Sequence, residues 1–225
     1  MENNNEQLSV YLKNVCLAYD KTVLTDVNLQ INKGEFVYLI GKTGAGKSTL
    51  LRCLYADLLI GSGEGTVCGF NLKDIPKKNI PLLRRKLGIV FQDIQLLTDR
   101  TVFDNLAFVL KATGIKDKAV IKEKVMNALS LVSLENKATV YPYTLSEGES
   151  QRITLARALV NNPEMIIADE PTGNLDPITS EEIVKLLFKI NKEQGTTVLM
   201  ATHDYLIIND FRSRVISCED GRIRE

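Results

Sequence analysis

Two glycines, a lysine and a serine give this chain its most distinctive chemical pattern. They are Gly41, Gly46, Lys47 and Ser48, at G-x-x-x-x-G-K-S spacing, with an apolar run before them and helically spaced leucines after them. A glycine-rich loop can wrap closely around a polyphosphate, aim backbone N–H groups at it and present the positive end of the following helix. We expect Lys47 to reach the β- and γ-phosphates and the Ser48 hydroxyl to ligate Mg²⁺. A plain glycine-rich turn would not need this flanking context, so the sequence predicts nucleotide binding.

Two adjacent carboxylates follow a second apolar run. Residues 165–168 are typical of a buried strand, and Asp169 and Glu170 come directly after them. In open α/β sheets, ligands bind at the carboxyl edge of the strands, where these acids would lie. Asp169 is therefore a candidate for the magnesium shell, and Glu170 for orienting or deprotonating an attacking water.

Three further polar residues are candidates with weaker signals. His203, the single histidine, follows the apolar run at residues 196–201, where it could hydrogen-bond a γ-phosphate. Gln92 is the last residue of a strand predicted over residues 88–92 and could reach a metal-bound water or the γ-phosphate. Tyr19 lies between two strand-like segments and could stack on a base. Taken alone, each is more typical of an ordinary structural residue.

The elements that position these residues alternate between strand and helix patterns. Residues 8–18 and 23–31 predict a small antiparallel sheet, and residues 61–65 predict a break before a short strand at 66–70. Residues 75–87 predict a helix with a basic face. The chain should therefore have an α/β fold with a mostly parallel core sheet.

The middle of the chain predicts helices without strands. Residues 93–143 repeat apolar side chains at helical spacing, which indicates an α-helical insertion. The next helix should run from residue 145 to 160, with Ser146 and Glu149 forming a capping box. The same start, with Gly148, could instead bind a phosphate. We interpret the chain as one domain, residues 1–225, carrying a helical subdomain of about residues 93–160.

Composition restricts the partners. Lys+Arg and Asp+Glu both total 28, so no net charge attracts nucleic acid or an anionic membrane. The four cysteines are widely spaced, which favours reduced thiols and a cytosolic protein. Residues 1–7 are polar and predict no secretion signal, and no apolar run reaches the length of about 20 residues that spans a bilayer. A membrane would have to be met through another protein.

Together these motifs resemble the ATPase subunits of the ABC transporter family over essentially the whole chain. The resemblance implies the P-loop NTPase fold of the ABC type, with an N-terminal antiparallel β-subdomain, and ATP hydrolysis with Mg²⁺ as cofactor. Glu170 and His203 would be catalytic, and Ser48, Gln92 and Asp169 would surround the metal. The nucleotide contacts would come from Tyr19, Gly41, Lys42, Thr43, Gly44, Ala45, Gly46, Lys47, Ser48, Thr49, Gln92, Ser146, Gly148 and Asp176.

The resemblance also implies partners. Ser146 and Gly148 of one copy would close over the ATP held by a second copy, with Asp176 near the seam. Residues 83–108 and 156–177 are most similar to the bacterial cell-division branch of the family, which implies a peripheral location on the cytoplasmic side of the cell membrane and a membrane subunit of the FtsX type. The lipoprotein-release and macrolide-export branches share much of this pattern.

One residue departs from the family pattern. The family usually has glycine where this chain has Glu147, inside the stretch LSEGE. A carboxylate next to the γ-phosphate of the other copy would weaken closure, unless it turns to solvent or pairs with a cation. The departure leaves open a scaffold that senses nucleotide without hydrolysing it.

Overall fold

Two β-sheets lie against each other in the computed structural model, which describes residues 7–225. The first sheet is antiparallel, with strand order β2-β1-β4-β5. Its strands are β1 (Leu8–Ala18), β2 (Thr22–Asn32), β4 (Ser62–Val67) and β5 (Phe70–Asn71). This confirms the N-terminal antiparallel sheet.

The second sheet is mostly parallel, as predicted, with strand order β10-β9-β3-β8-β7-β6. Its strands are β3 (Phe36–Ile40), β6 (Leu87–Val90), β7 (Met165–Asp169), β8 (Thr197–Ala201), β9 (Arg214–Glu219) and β10 (Arg222–Arg224). Within this sheet, as far as the structure describes the chain, only β10 runs antiparallel to its neighbour. Because β3, β7 and β8 are adjacent and parallel, their carboxyl ends meet at one edge.

Seven α-helices complete the fold over residues 7–225. They are α1 (Lys47–Leu54), α2 (Ile80–Arg85), α3 (Val102–Ala112), α4 (Lys118–Leu131), α5 (Glu147–Leu159), α6 (Pro177–Gln194) and α7 (Tyr205–Asp210). In this part of the chain no helix is both long enough and apolar enough to cross a membrane. Helices α3 and α4 lie within residues 93–143, which contain no strand, as the sequence predicts.

Buried side chains on the two faces of the parallel sheet belong to two separate apolar clusters. Phe36 and Tyr38 pack with α3 to α6, whereas Val37 and Leu39 pack with α1 and the antiparallel sheet. Successive side chains of a strand point to opposite faces, so each strand contributes to both clusters. A parallel sheet covered on both faces explains why β3, β7 and β8 read as continuous apolar runs.

Several predicted elements differ from the observed ones. The short strand predicted at residues 66–70 is divided, because β4 ends at Val67 and β5 covers Phe70–Asn71. Residues 61–65 do not form the predicted irregular segment between elements, because β4 begins at Ser62 and pairs with β1. Gly63 has φ 90°, and a Cβ there would lie 2.4 Å from the carbonyl oxygen of Asn14. The glycine is needed where the two strands approach closely at a register shift, so it marks an irregular strand pair and no turn.

The helix predicted over residues 75–87 is much shorter. Helix α2 covers Ile80–Arg85, and Leu87 already belongs to β6. Pro76 and Pro81 restrict the backbone before and at the start of the helix, and proline is tolerated in the first turn but not further inside. The polar stretch 1–7 lies outside the described residues apart from Gln7.

Candidate nucleotide-binding site

The glycine-rich loop connects β3 to α1 at the carboxyl edge of the parallel sheet. Gly41 has φ 151°, and a Cβ there would lie 2.5 Å from the carbonyl oxygen of Cys218. Gly46 has φ 111°, and its Cβ would lie 2.8 Å from Leu24. Close packing against the chain behind the loop therefore requires glycine at both positions. This adds to the backbone conformations that glycine allows in a phosphate-binding loop. This packing fixes the shape of the loop before any ligand arrives.

The Lys47 ammonium group lies inside this loop. Its side chain is only 5% exposed, and Nζ donates to the carbonyl oxygen of Gly41 at 2.8 Å. The same atom lies 3.2 Å from Glu170 Oε1. The structure thus brings the predicted phosphate-binding lysine and the predicted water-activating carboxylate into direct contact.

Glu170 stands between the side chains of Lys47 and His203. Its second oxygen, Oε2, lies 2.9 Å from Nδ1 of His203, while its backbone N–H donates to the carbonyl oxygen of Ala201. Glu170 has φ 48°, a left-handed conformation that is uncommon for a residue with a side chain. Strained backbone of this kind is typical of functional sites. The two strand ends, β7 and β8, therefore place Glu170 and His203 together as predicted.

Asp169 lies on the other side of the strand end, next to Ser48. Burial raises the pKa of the Asp169 carboxyl group, while a hydrogen bond with the Ser48 side chain acts in the opposite direction. The charge of Glu170 adds to the increase, and that of Lys47 opposes it. A hydroxyl and a carboxylate are thus held together beside the loop.

Two cavities open beside these residues. One, of about 640 Å³, is lined by the glycine-rich loop and by residues around Cys218. The other, of about 450 Å³, contains Glu170 and His203. Tyr205, which sequence reasoning missed, lines both cavities. The cavity beside the loop and the cavity beside the catalytic candidates therefore share one lining residue.

Two predicted nucleotide contacts lie at the periphery. Tyr19 is 50% exposed on the turn between β1 and β2, and its hydroxyl accepts a hydrogen bond from Arg52 at 3.2 Å. Gln92 is exposed beyond the end of β6, which stops at Val90, so the strand predicted to end on this amide ends two residues earlier. It lines a separate cavity of about 180 Å³ together with Glu147.

The residues predicted to act on a second copy have structural roles within their own chain. Ser146 caps α5 in a capping box with Glu149, as predicted. Gly148 leaves room for Thr179, whose methyl group would lie 2.7 Å from a Cβ at this position. Asp176 caps α6, and hydrogen bonds from the Thr179 side chain and backbone lower its pKa.

Comparison with known proteins decides what this arrangement is. The sequence model of the ABC transporter family matches residues 24–173, which include the glycine-rich loop, the helix capped by Ser146 and the Asp169–Glu170 pair. The chain belongs to the ABC transporter family. As an ABC ATPase, it binds and hydrolyses ATP, which confirms the predicted fold and activity.

Individual relatives are similar over almost the whole ABC chain. The cell division ATP-binding protein FtsE of Streptococcus pneumoniae is 50% identical over 216 residues, which cover 95% of this chain and 93% of that protein. FtsE of Bacillus subtilis is 47% identical over 95% of this chain and 94% of that protein. This confirms the predicted similarity to the cell-division branch.

A solved ABC structure has the same fold. The dimeric ATP-binding cassette MJ0796 bound to ADP and Pi, described as a post-hydrolysis state, superposes with a TM-score of 0.84. It is 35% identical in sequence, and the match covers 96% of this chain and 97% of that one.

One residue of the ABC helix α5 was not identified as functional from the sequence. Gln151 is buried and donates from Nε2 to the carbonyl oxygen of Pro171 at 2.7 Å. A signal was available, because Gln151, Leu155 and Leu159 repeat at the four-residue spacing of one helix face. A glutamine within an otherwise apolar stripe needs a buried hydrogen-bond partner.

Proposed function

We propose that two copies of this chain close head to tail over Mg·ATP, and that opening and closing of this dimer drives a membrane subunit in bacterial cell division. The observation that carries the proposal is the placement of Glu170 between Lys47 and His203, at the sheet edge where the glycine-rich loop begins. The similarity to FtsE proteins supports the cell-division assignment. The dimeric state of MJ0796 supports the pairing of two copies.

ATP binds along the glycine-rich loop. Backbone groups of Gly41 to Thr49 surround the phosphates. The Lys47 ammonium group exchanges its contact with Glu170 for contacts with the β- and γ-phosphates. Tyr19, half exposed on its turn, stacks on the adenine.

The donor set next to the loop fits Mg²⁺. Mg²⁺ prefers oxygen ligands and usually binds through one or two carboxylates plus substrate phosphates. The Ser48 hydroxyl and the Asp169 carboxylate would supply such oxygens. Gln92 lines a separate cavity, so its place around the metal stays a prediction. Within residues 7–225 no group of three His, Cys, Asp or Glu side chains is arranged to hold a metal ion. Bound there, the ion neutralises charge on the phosphates.

Hydrolysis uses the carboxylate of Glu170 as the general base. Glu170 accepts a proton from water as the water oxygen bonds to the γ-phosphorus, and the bond from that phosphorus to the oxygen of the departing ADP breaks. His203, hydrogen-bonded to Glu170, contacts the γ-phosphate through its exposed ring. Lys47 and the loop hold the phosphates in line for this attack.

The second copy completes the site. Ser146 and Gly148, at the start of α5, face the γ-phosphate of the ATP in the partner copy, and Asp176 lies near the seam. Glu147 is exposed in the first turn of α5. Its charge then lies near the phosphates of that ATP and weakens closure.

Replacing Glu147 by Gly is therefore expected to tighten the ATP-dependent dimer. Two charges about 10 Å apart near a protein surface interact by about 1–2 kcal/mol, which corresponds to about a tenfold change in dimer affinity. Analytical ultracentrifugation with ATP, in a background that does not hydrolyse it, measures the change. A matched Glu123→Gly variant on α4 removes an exposed carboxylate elsewhere. An unchanged dimer affinity in Glu147→Gly would contradict the proposed position of this carboxylate.

A groove on the side of the molecule offers a docking place for the membrane subunit. It has a volume of about 510 Å³ and lies among α2, β6, α3 and α5, with Arg85, Phe108 and Arg157 in its lining. Phe108 is 48% exposed. We infer that an FtsX-type membrane subunit binds here and holds the chain at the cytoplasmic face of the membrane. The chain forms a single domain spanning residues 1–225. Its helical subdomain, residues of about 93–160, then transmits the opening and closing of the dimer to the membrane subunit.

Phosphate release by the purified chain, alone and with its membrane subunit in vesicles, tests the proposal. We expect weak ATPase activity alone and higher activity with the membrane subunit. Phe108→Asp should remove the stimulation and leave the basal rate unchanged, whereas Val120→Asp on α4 should retain the stimulation. Absence of phosphate release under both conditions would instead support a nucleotide-sensing scaffold, the alternative that Glu147 makes conceivable.

A further inference from the structure

Gln151 connects two functional segments of the same chain. Its side chain is 2% exposed on α5, the helix that begins at Ser146, and its Nε2 donates to the carbonyl oxygen of Pro171 at 2.7 Å. Pro171 directly follows Glu170. The hydrogen bond therefore runs from the helix predicted to meet the partner's ATP to the residue next to the catalytic carboxylate.

The loop after Glu170 has little else to hold its first residue. Proline has no backbone N–H, so Pro171 can be fixed through hydrogen bonds only at its carbonyl oxygen. The next residues form a compact turn, in which Gly173 N–H donates to the carbonyl oxygen of Glu170 at 3.1 Å. A shift of Pro171 is thus transmitted directly to Glu170. Because the hydrogen bond is buried, removal of its donor would leave a polar oxygen without a partner.

Two further contacts tie the same helix to the start of α6. Gly148 packs against the Thr179 methyl group so closely that a Cβ would lie 2.7 Å away. One turn further along α5, Arg152 forms an ion pair with Glu182 at 3.1 Å. With the Gln151 bond, these contacts attach the first two turns of α5 to both ends of the segment that runs from Pro171 into α6.

We propose that Gln151 is a positioning residue that couples the two ATP sites of the dimer. The inference rests on the proposed dimer, in which Ser146 contacts the ATP held by the partner copy. When Ser146 engages that ATP, α5 and Gln151 move as a unit, and Gln151 sets the position of Pro171 and Glu170 in the site of its own chain. Nucleotide in one site thereby prepares the carboxylate of the other.

Removal of the amide donor tests this coupling. Gln151→Met keeps the length and volume of the side chain but cannot donate. We expect the kcat for ATP hydrolysis to fall about tenfold, as for loss of one buried hydrogen bond of about 1.4 kcal/mol. The Hill coefficient for ATP should fall from near ~2 toward ~1, since its upper limit is the number of coupled sites. The affinity of the isolated chain for ADP should stay within about twofold, because this bond lies outside the nucleotide cradle.

Thr154→Val is the matched control. Thr154 is also buried on α5 and donates from its hydroxyl to a carbonyl oxygen, but that carbonyl belongs to Ser150 of the same helix. The control variant should keep the Hill coefficient of the unmodified chain. Thermal unfolding of both variants reports any general loss of stability.

Two outcomes would overturn the proposal. One is a Hill coefficient in Gln151→Met equal to that of the unmodified chain, and the other is an equal decrease in Thr154→Val. If Gln151→Met does not fold, Gln151→Glu, which keeps the side-chain length and turns a second acceptor toward the Pro171 carbonyl, must show the decrease instead. Absence of an ATP-dependent dimer in the unmodified chain would contradict the proposed function itself. A dimer that forms, with a Hill coefficient unchanged in Gln151→Met, would contradict only the coupling through Gln151, so the two failures are distinguishable.

Discussion

Glu170→Gln is expected to lower the kcat for ATP hydrolysis by about 10²- to 10⁴-fold, the usual contribution of a positioned general base. The amide keeps the shape of the side chain but has no basic oxygen to accept the proton from water. It also removes a negative charge 3.2 Å from Lys47 Nζ. Lys47 is then free of a competing carboxylate, so ATP affinity should remain or increase. The variant should accumulate as an ATP-bound dimer, measured by single-turnover phosphate release together with analytical ultracentrifugation.

Glu164→Gln provides the matched control for this measurement. Glu164 precedes β7, the strand that carries Glu170 just beyond its other end, and it pairs with Lys86 at 2.8 Å on the surface. The Glu164→Gln substitution removes the same charge at a position that does not contact the nucleotide cradle. The kcat of this variant should therefore equal that of the unmodified chain. Undiminished hydrolysis in Glu170→Gln would show that another group activates the water.

The residues of the site could be predicted because they occupy the ends of strongly patterned strands. The apolar runs before Gly41, Asp169 and His203 are typical of strands buried on both faces, and the carboxyl ends of adjacent parallel strands meet at one edge. Proximity of the three segments therefore follows from topology alone. The direct contacts of Glu170 with Lys47 and His203 do not follow from it, because they depend on side-chain rotamers and on the left-handed backbone of Glu170.

The errors in the predicted elements came from glycines and prolines interpreted without their neighbours. Gly63 and Gly65 look like turn residues in the sequence, yet they lie in β4, where Asn14 and Leu12 leave no space for a Cβ. The meaning of such a glycine depends on the strand opposite, which is distant in sequence. The basic stretch before β6 repeats apolar residues at helical spacing, but Pro76 and Pro81 delay its helix to Ile80.

The link through Gln151 illustrates a further limit of sequence reasoning. A polar residue in the apolar stripe of α5 indicates that a buried partner exists, but its identity requires the fold. Here the partner is a backbone carbonyl 20 positions away, adjacent to Glu170. Backbone acceptors leave no trace in residue identity, since every residue has one. Coupling of this kind is therefore visible only in the structure.

Lys47→Ala is expected to weaken ATP binding by about 10- to 100-fold, equivalent to about 1.5–3 kcal/mol for a hydrogen bond to a charged group. The Lys47 side chain supplies a cation that is only 5% exposed inside the loop, whereas Lys42, the other lysine of the loop, is exposed. Folding should be little affected, because Glu170 keeps its contact with His203 at 2.9 Å. Without bound ATP, both hydrolysis and ATP-dependent pairing of two copies should be lost.

Titration calorimetry with ATP measures the affinity of this variant, and analytical ultracentrifugation measures pairing. Lys73→Ala is a suitable control, since it removes the same charge from an exposed turn after β5. ATP affinity and pairing that are both retained in Lys47→Ala would contradict the assignment of the loop as the phosphate site. Loss of pairing with unchanged ATP affinity would instead assign Lys47 to closure of the dimer. In the proposed mechanism, pairing is lost only because binding is lost, so the two decreases must follow the same ATP concentration dependence.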